Sequence, residues 1–141
     1  MSEPPERVVV HVDGGARGNP GPAAIAAVVA TPEGEVVQSR GEAIGRATNN
    51  VAEYRALLLG IDLARSLGAR EVELVGDSEL VVKQVKGEYR VKDPGLRPLH
   101  AEVRRALDGL ERWQVRSVPR EQNEIADGLV NEAIDARAGT A

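Results

Sequence analysis

Four acidic residues occupy positions that folding alone does not explain, and two of them follow apolar segments. Asp13 ends one such segment and begins a glycine-rich turn, and Asp77 separates a second one from a predicted helix. In α/β proteins, ligands bind at the carboxyl ends of the strands. If the two segments are neighbouring parallel strands, these two carboxylates lie close together.

The other two acids lie on the apolar sides of predicted helices. Glu53 shares a helix face with Leu57 and Ile61, which follow it in four-residue steps. Asp127 lies three residues before Val130 and heads a similar face. Each acid is near the first turn of its helix, where the helix dipole stabilises a carboxylate. Both side chains are therefore predicted to face the sheet rather than water.

The chemistry that these four acids favour is the binding of divalent cations. Carboxylates buried close together are costly unless a cation compensates their charge. Because the chain has no Cys and only two His, the candidate ligands are hard oxygens, which favour Mg²⁺ or Mn²⁺ over zinc. Two such ions about 4 Å apart form a common arrangement for phosphodiester hydrolysis. Any one acid is equally well explained as a cap, a turn former or a surface charge, but the four together favour a two-metal site.

The hydrophobic periodicity and the turn residues predict the order βββαβααβα. The strands are predicted at 7–13, 23–31, 35–45, 71–76 and 113–118. The helices are predicted at 48–68, 78–87, 93–110 (with residue 93 or 94 as the start) and 121–137. Thr48 and Ser78 are the predicted N-caps of the first two helices. After the first three strands, helices separate single strands, which requires parallel crossovers onto an existing sheet. The predicted fold is α/β: a mixed five-stranded sheet, with an antiparallel three-strand meander, two parallel strands and helices on both faces.

Length and composition limit the possible classes of protein. The chain has 141 residues, 42% of them hydrophobic and 28% charged, which is typical of one ordinary folded domain. We expect a flexible N-terminus at 1–6, a domain at 7–137 and a frayed tail at 138–141. The absence of Cys excludes disulfides, thiolate zinc sites and a Cys nucleophile. The longest apolar run, 23–30, is too short to cross a membrane and the N-terminus is acidic, so we expect a cytoplasmic protein with no membrane partner.

Charge is distributed unevenly along the chain. The formal net charge is −4, yet residues 83–120 contain ten basic and five acidic residues. This segment is where a polyanion is expected to bind, although a solvated helix surface explains the same charges. With one Trp, two Tyr and no Phe, the chain does not favour binding of single strands by rows of stacked aromatic side chains.

Four motifs, taken in order, resemble type 1 ribonuclease H over residues 8–134. They are DGGARGNPG at 13–21, TNNVAEY at 48–54, GDSEL at 76–80 and NEIAD at 123–127. The family hydrolyses the RNA strand of RNA/DNA hybrids with two divalent ions and leaves 3′-hydroxyl and 5′-phosphate ends. The resemblance implies that Asp13, Glu53, Asp77 and Asp127 are the catalytic and metal-binding residues, with Mg²⁺ as the cofactor and Mn²⁺ as a substitute.

The resemblance also implies a set of substrate contacts. Asn19, Asn49 and Asn50 match readers of the minor groove and the 2′-hydroxyl group, and Thr48 matches a residue that holds a phosphate of the DNA strand. Helix capping explains Asn49 and Asn50 equally well, and a hairpin turn explains most of 18–21. The complete predicted set of substrate-binding residues is Gly14, Gly15, Asn19, Thr48, Asn49, Asn50, Ser78, Arg120 and Asn123.

Three departures from the family pattern affect the mechanism. Glu79 stands where other members have Gln or another uncharged residue, and it adds negative charge beside the metal site. Where many members carry a catalytic His, this chain has Ser117, and the nearest candidate replacements are Arg120 and Glu124. A long basic, Trp-rich protrusion is also missing, since 89–93 reads only YRVKD. A nuclease of double-stranded RNA or DNA junctions and a non-enzymatic nucleic-acid-binding module remain the alternatives. An actin-like ATPase is excluded by the length of the chain. We expect a monomer.

Overall fold

The computed structural model describes residues 6–139. The predicted N-terminal segment 1–6 and tail 138–141 therefore lie largely outside the described residues. The observed elements, with a 3₁₀ turn at Arg120–Gln122 between the last two, are β1 (Arg7–Ala16), β2 (Gly21–Ala30), β3 (Val36–Ala47), α1 (Asn49–Ser66), β4 (Glu71–Gly76), α2 (Glu79–Lys86), α3 (Arg97–Asp108), β5 (Arg112–Ser117) and α4 (Glu124–Gly139).

The sheet has the predicted mixed topology, with strand order β3-β2-β1-β4-β5. The β1–β2 and β2–β3 pairs are antiparallel. The β1–β4 and β4–β5 pairs are parallel, so β1 and β4 are neighbours whose carboxyl ends lie at the same edge of the sheet. The predicted element order and fold class are confirmed.

Helices cover both faces of the sheet and bury two apolar clusters. The larger cluster places α1, α2 and α3 on one face, around the fully buried side chains of Tyr54, Ile61 and Leu74. The smaller cluster joins Ala24 and other small residues of β2 to α4 on the opposite face. Because β2 is buried on both faces, its sequence reads as a continuous apolar run rather than an alternating one. No helix among residues 6–139 is long and apolar enough to span a membrane.

The first strand is longer than predicted, and the turn that follows it is shorter. Gly14 and Gly15 belong to β1, where they pair with Ile25 and Ala24 of β2. Glycine is usually a turn signal, but here it allows two backbones to approach each other. A Cβ atom on Gly14 would lie 2.3 Å from the carbonyl carbon of Ala52 in α1. The prediction that the whole of 14–22 forms a turn was therefore wrong, and the bend is confined to 17–20.

Two helices start later than predicted. Asp93 accepts a hydrogen bond from the Gly95 amide at 2.8 Å and forms a local turn, so α3 begins at Arg97, with Pro98 in its first turn. The last helix begins at Glu124 because a separate 3₁₀ turn occupies 120–122. The other boundaries lie within two residues of the predictions, and the Thr48 and Ser78 N-caps are confirmed by hydrogen bonds from the amides of Val51 and Val81.

A pair of glycine substitutions tests the contact between β1 and α1. We expect Gly14→Ala to destabilise the protein by about 1–3 kcal/mol, because the new methyl group collides with rigid helix backbone. Gly15→Ala is the matched control, since its Cβ would meet only a Val130 methyl group at an ordinary 3.8 Å. Urea unfolding of the two variants measures the difference, and equal midpoints would contradict the close approach.

Candidate active site

Three of the four predicted acids meet at one edge of the sheet. Carboxylate oxygens of Asp13, Glu53 and Asp77 all lie within 4.8 Å of one another. The last β1–β4 pair is His11 with Val75, so continuing this register by two residues places Asp13 opposite Asp77. Glu53 reaches the pair from α1, and its Oε1 accepts a hydrogen bond from the Gly14 amide at 3.3 Å. The close contact at Gly14 therefore also sets the position of the third acid.

Asp127 approaches the cluster from the opposite face of the sheet. Its carboxyl group is close enough to Asp13 to contribute to the raised pKa of that residue. The amide nitrogen of Asn131, one helical turn later, donates to the Asp127 backbone carbonyl at 3.2 Å and lies 3.5 Å from Oδ2. Asp127 is half-buried and lies outside the tight group of three, but it lines the same cleft. The structure thus brings all four acids together.

Burial and mutual repulsion disfavour the ionised forms of Asp13, Glu53 and Asp77. Loss of solvent, followed by the charge of Asp77, raises the pKa of Asp13 to about 7. Burial also raises the pKa of Glu53 well above its usual value, and the charge of Asp13 adds to that effect. Burial raises the pKa of Asp77 too, although the guanidinium of Arg120 and a hydrogen bond with Asn123 oppose the shift. The protein therefore holds protons here that a cation would displace.

The residues present fit a hard divalent cation. Among residues 6–139, the buried oxygen Oδ2 of Asp77 has no hydrogen-bond partner, which is unusual for a buried polar atom. The surrounding donor set consists of carboxylate oxygens, and no thiolate exists in the chain. Such a set suits Mg²⁺ or Mn²⁺ rather than zinc.

The acids lie in an open cleft of about 470 Å³. The predicted substrate residues that line it are Gly14, Gly15, Asn49, Asn50, Ser78 and Arg120. Asn19 and Thr48 are nearby but are not among its lining residues. Asn19 accepts a hydrogen bond from the Asn49 backbone amide at 3.1 Å, and Asn49 accepts one from the Ala16 amide at 2.8 Å. These two amides therefore join the β1–β2 turn to the start of α1.

Asn123 lies below the cleft rather than on its surface. Its side chain is 2% exposed, and its Nδ2 donates to the backbone carbonyl of Val12 at 2.8 Å. Its Oδ1 lies 3.1 Å from Nδ1 of His11. Asn123, predicted to contact the substrate, is thus buried and is not among the residues that line the cleft. Burial of a polar side chain just before a helix is not visible in the sequence alone.

The basic segment 83–120 contributes less to the cleft than its charge suggests. Of its basic residues, only Arg120 lines the cleft, while Arg90 and Lys92 line a neighbouring groove that shares Asn50. Arg97 and Arg104 donate hydrogen bonds to backbone carbonyl groups and so serve the fold. Glu124, a candidate replacement for the missing His, lines a different pocket.

Two polar residues of the cleft were not predicted from the sequence. Arg17 and Asn131 both line the cleft. Asn131 follows Asp127 by four residues, so its position on the same helix face could have been found from the helical period. Arg17 lies within the first motif, but no periodic spacing to another functional residue indicated that it would line the cleft.

The chain is similar to proteins of known family. A family profile described as reverse transcriptase-like matches residues 11–133. Ribonuclease HI of Halobacterium salinarum is 46% identical over 129 residues, which cover 92% of this chain and 65% of that protein. The bifunctional protein Rv2228c of Mycobacterium tuberculosis is 47% identical over 136 residues, which cover 96% of this chain and 37% of that protein. The chain therefore spans only part of the length of these relatives.

Solved structures agree with the sequence matches. The crystal structure of RNase H1 from Halobacterium salinarum matches with a TM-score of 0.90. The match covers 92% of this chain and 98% of that one. The N-terminal RNase H domain of Rv2228c matches with a TM-score of 0.91, and the match covers 95% of this chain and 97% of that one. LC11-RNase H1, which was solved in complex with an RNA/DNA hybrid, is 40% identical and has a TM-score of 0.89. The match covers 93% of this chain and 99% of that one.

The raised pKa values predict how pH and metal affect stability. Below about pH 4, Asp13 is protonated in both the folded and the unfolded chain. The contribution of its raised pKa to the free energy of unfolding is then fully present. As the pH rises through about 7 the folded protein must release this proton, and the contribution is lost. We therefore expect Mg²⁺ to raise the melting temperature more at alkaline than at acidic pH. Thermal melts at both pH values, with Mg²⁺ or with EDTA, measure the effect.

Asp13→Asn is the control for this pH dependence, because the amide cannot titrate. Its metal-free melting temperature is expected to change less with pH than that of the unsubstituted chain. An equal Mg²⁺ effect at both pH values would contradict the assignment.

Proposed function

The chain belongs to the ribonuclease HI family, and from that premise we propose that it cleaves the RNA strand of RNA/DNA hybrids by two-metal hydrolysis. The observation that carries the proposal is the group of three carboxylates within 4.8 Å of one another in an open cleft, with Asp127 beside them. A protein that only bound nucleic acid would bind better without these charges, because they repel a phosphate backbone. The acid cluster therefore favours catalysis over simple binding.

Asp13, Glu53, Asp77 and Asp127 would hold the metal ions, with Mg²⁺ as the cofactor and Mn²⁺ as a substitute. Bound ions of this kind lower the pKa of water and stabilise charge on a leaving oxygen. The four carboxylates, which come from four different elements of one chain, fix where the scissile phosphate must lie. All of them belong to the same molecule, so a monomer is sufficient. Hydrolysis adds the oxygen of water to phosphorus and breaks the P–O3′ bond, leaving 3′-hydroxyl and 5′-phosphate ends.

We assign selection of the RNA strand to the polar side chains that line the cleft beside the four acids. Asn49 and Asn50 line the cleft at the start of α1, next to Glu53. A carboxamide both donates and accepts hydrogen bonds, as the 2′-hydroxyl group does, and this group distinguishes RNA from DNA. The hybrid bound to the relative LC11-RNase H1 supports the same substrate class.

Arg120 is assigned to the phosphate backbone rather than to proton transfer. Ser117, at the position of the missing His, ends β5 and pairs with Gly76. Arg120 lies a few residues later, lines the cleft and is close enough to Asp77 to oppose the rise of its pKa. Because an arginine stays protonated at neutral pH, it can stabilise a phosphate but cannot accept a proton.

Asp77→Asn tests the role of the acids. The amide keeps the shape of the side chain but removes its charge, so we expect cleavage in Mg²⁺ to fall about 100-fold or more while hybrid binding is retained. Asp62→Asn, an exposed residue of α1 outside the cleft, is the control for the change in net charge. Cleavage of end-labelled hybrid and fluorescence anisotropy measure the two properties. Normal turnover by Asp77→Asn would refute the site.

A panel of substrates tests the proposed specificity. We expect metal-dependent cleavage of the RNA strand of RNA/DNA, no cleavage of single-stranded RNA and no cleavage of the DNA strand. Double-stranded RNA is included because the Asn49 and Asn50 side chains do not by themselves exclude a second RNA strand. Gel analysis of end-labelled strands, with and without Mg²⁺, shows which strand is cut and which ends are formed. Cleavage of double-stranded RNA alone would replace the proposed substrate.

A further inference from the structure

Two cationic side chains line the acid cleft in the part of the chain that the structure describes, and the proposed function uses only one of them. Arg120 lies beside Asp77, whereas Arg17 follows β1 in the turn 17–20 and faces α4. A polyanion that enters a cleft of four carboxylates needs cations on its path. Arg17 follows β1 and Arg120 follows β5, and these two strands are separated by β4 in the sheet.

The ion pair that Arg17 forms is exposed to solvent. Its Nη1 donates to Oδ1 of Asp135 at 2.5 Å, and its Nη2 lies 3.5 Å from Oδ1 of Asn131. Asp135 is on α4 and is not among the residues that line the cleft. The side chains of Arg17 and Asp135 are 46% and 65% exposed. Such exposed ion pairs add little to stability and are screened by salt, so a better acceptor can displace the carboxylate.

A phosphate group is that better acceptor. Guanidinium binds phosphate through two parallel N–H···O hydrogen bonds, and a nucleic-acid backbone releases counterions when an arginine neutralises it. Because Arg17 and the acids line the same cleft, a strand that lies over the metal site is the one that Arg17 would contact.

We propose that Arg17 leaves Asp135 to bind a backbone phosphate of the strand being cut, and that Asp135 is an internal competitor that weakens this contact. The inference rests on the proposed function, because it places a nucleic acid in the cleft. It makes Arg17 a substrate-binding residue and Asp135 a residue that limits affinity.

A purely structural role for the pair makes the opposite prediction. The Arg17–Asp135 contact joins the β1–β2 turn to α4, and Asn131 connects Arg17 to Asp127 through its hydrogen bonds. If the pair served to position Asp127, loss of Asp135 would impair activity as much as loss of Arg17. If Arg17 binds phosphate, loss of Asp135 improves binding. The sign of the Asp135 effect therefore separates the two roles.

The test compares Arg17→Gln, Asp135→Asn and the double variant with the unsubstituted chain. Anisotropy with a fluorescent RNA/DNA hybrid, without divalent ions and over a series of salt concentrations, measures Kd, and initial cleavage rates in Mg²⁺ measure KM and kcat. Glu132→Gln, another exposed acid of α4, is the charge control for Asp135→Asn. Arg55→Gln, an exposed arginine of α1 outside the cleft, is the control for Arg17→Gln. Thermal melts verify that each variant is folded.

We expect Arg17→Gln to raise Kd and KM several-fold with little change in kcat, and to make the salt dependence of log K shallower by about 1. Asp135→Asn is expected to lower Kd more than Glu132→Gln does, and this gain should disappear in the double variant. Weaker binding by Asp135→Asn, or an Arg17→Gln effect no larger than that of Arg55→Gln, would overturn the inference while hybrid cleavage by the unsubstituted chain still stands. If that chain neither binds nor cuts the hybrid, the proposed function and this inference fail together.

Discussion

The repulsion among buried carboxylates is the constraint on which the rest of this structure depends. Asp13 and Glu53 are 5% and 8% exposed, and both are held beside Asp77, although burial and like charge oppose ionisation of all three. Removing such groups from water is costly when no cation is present. The apolar clusters on both faces of the sheet must therefore supply the stability that holds four chain segments in place around the acids.

Small residues determine how closely those segments approach. Gly14 and Gly60 are the contact points of β1 and α1, since a Cβ on either would lie less than 3.0 Å from atoms of the other element. On the opposite face, a Cβ on Gly41 of β3 would lie 3.0 Å from the Leu129 carbonyl oxygen of α4. The backbones of the helices that carry Glu53 and Asp127 therefore lie directly against the sheet at Gly14 and Gly41, whereas Gly60 leaves room for valine side chains of β1. Catalytic geometry and close packing depend on the same residues.

Much of this arrangement could be predicted from the sequence, because each acid contradicted a strong local pattern. Asp77 interrupts an apolar run, and Glu53 heads an apolar helix stripe, so both were recognisable without coordinates. The roles of Gly14 and Asn123 were not predictable. A close backbone approach and a buried amide depend on neighbours more than 30 residues away in the chain, and a local pattern does not encode them. The start of α3 was misplaced for a different reason, since Asp93 serves both helix caps and isolated turns.

The acid cluster also determines how binding and catalysis are related in the proposed function. Without a cation the cleft repels the phosphates that it must accept, and its only lining cations among the described residues are Arg17 and Arg120. Arg17 pairs with Asp135 of α4 and Arg120 lies beside Asp77, so in the proposed function each would bind a backbone phosphate of the substrate. In the proposed function, divalent ions held by the acids would neutralise the centre of the cleft and would also supply the chemistry. A chain with few aromatic and few cleft-lining basic residues would then depend on bound divalent ions to accept a polyanion over its acids.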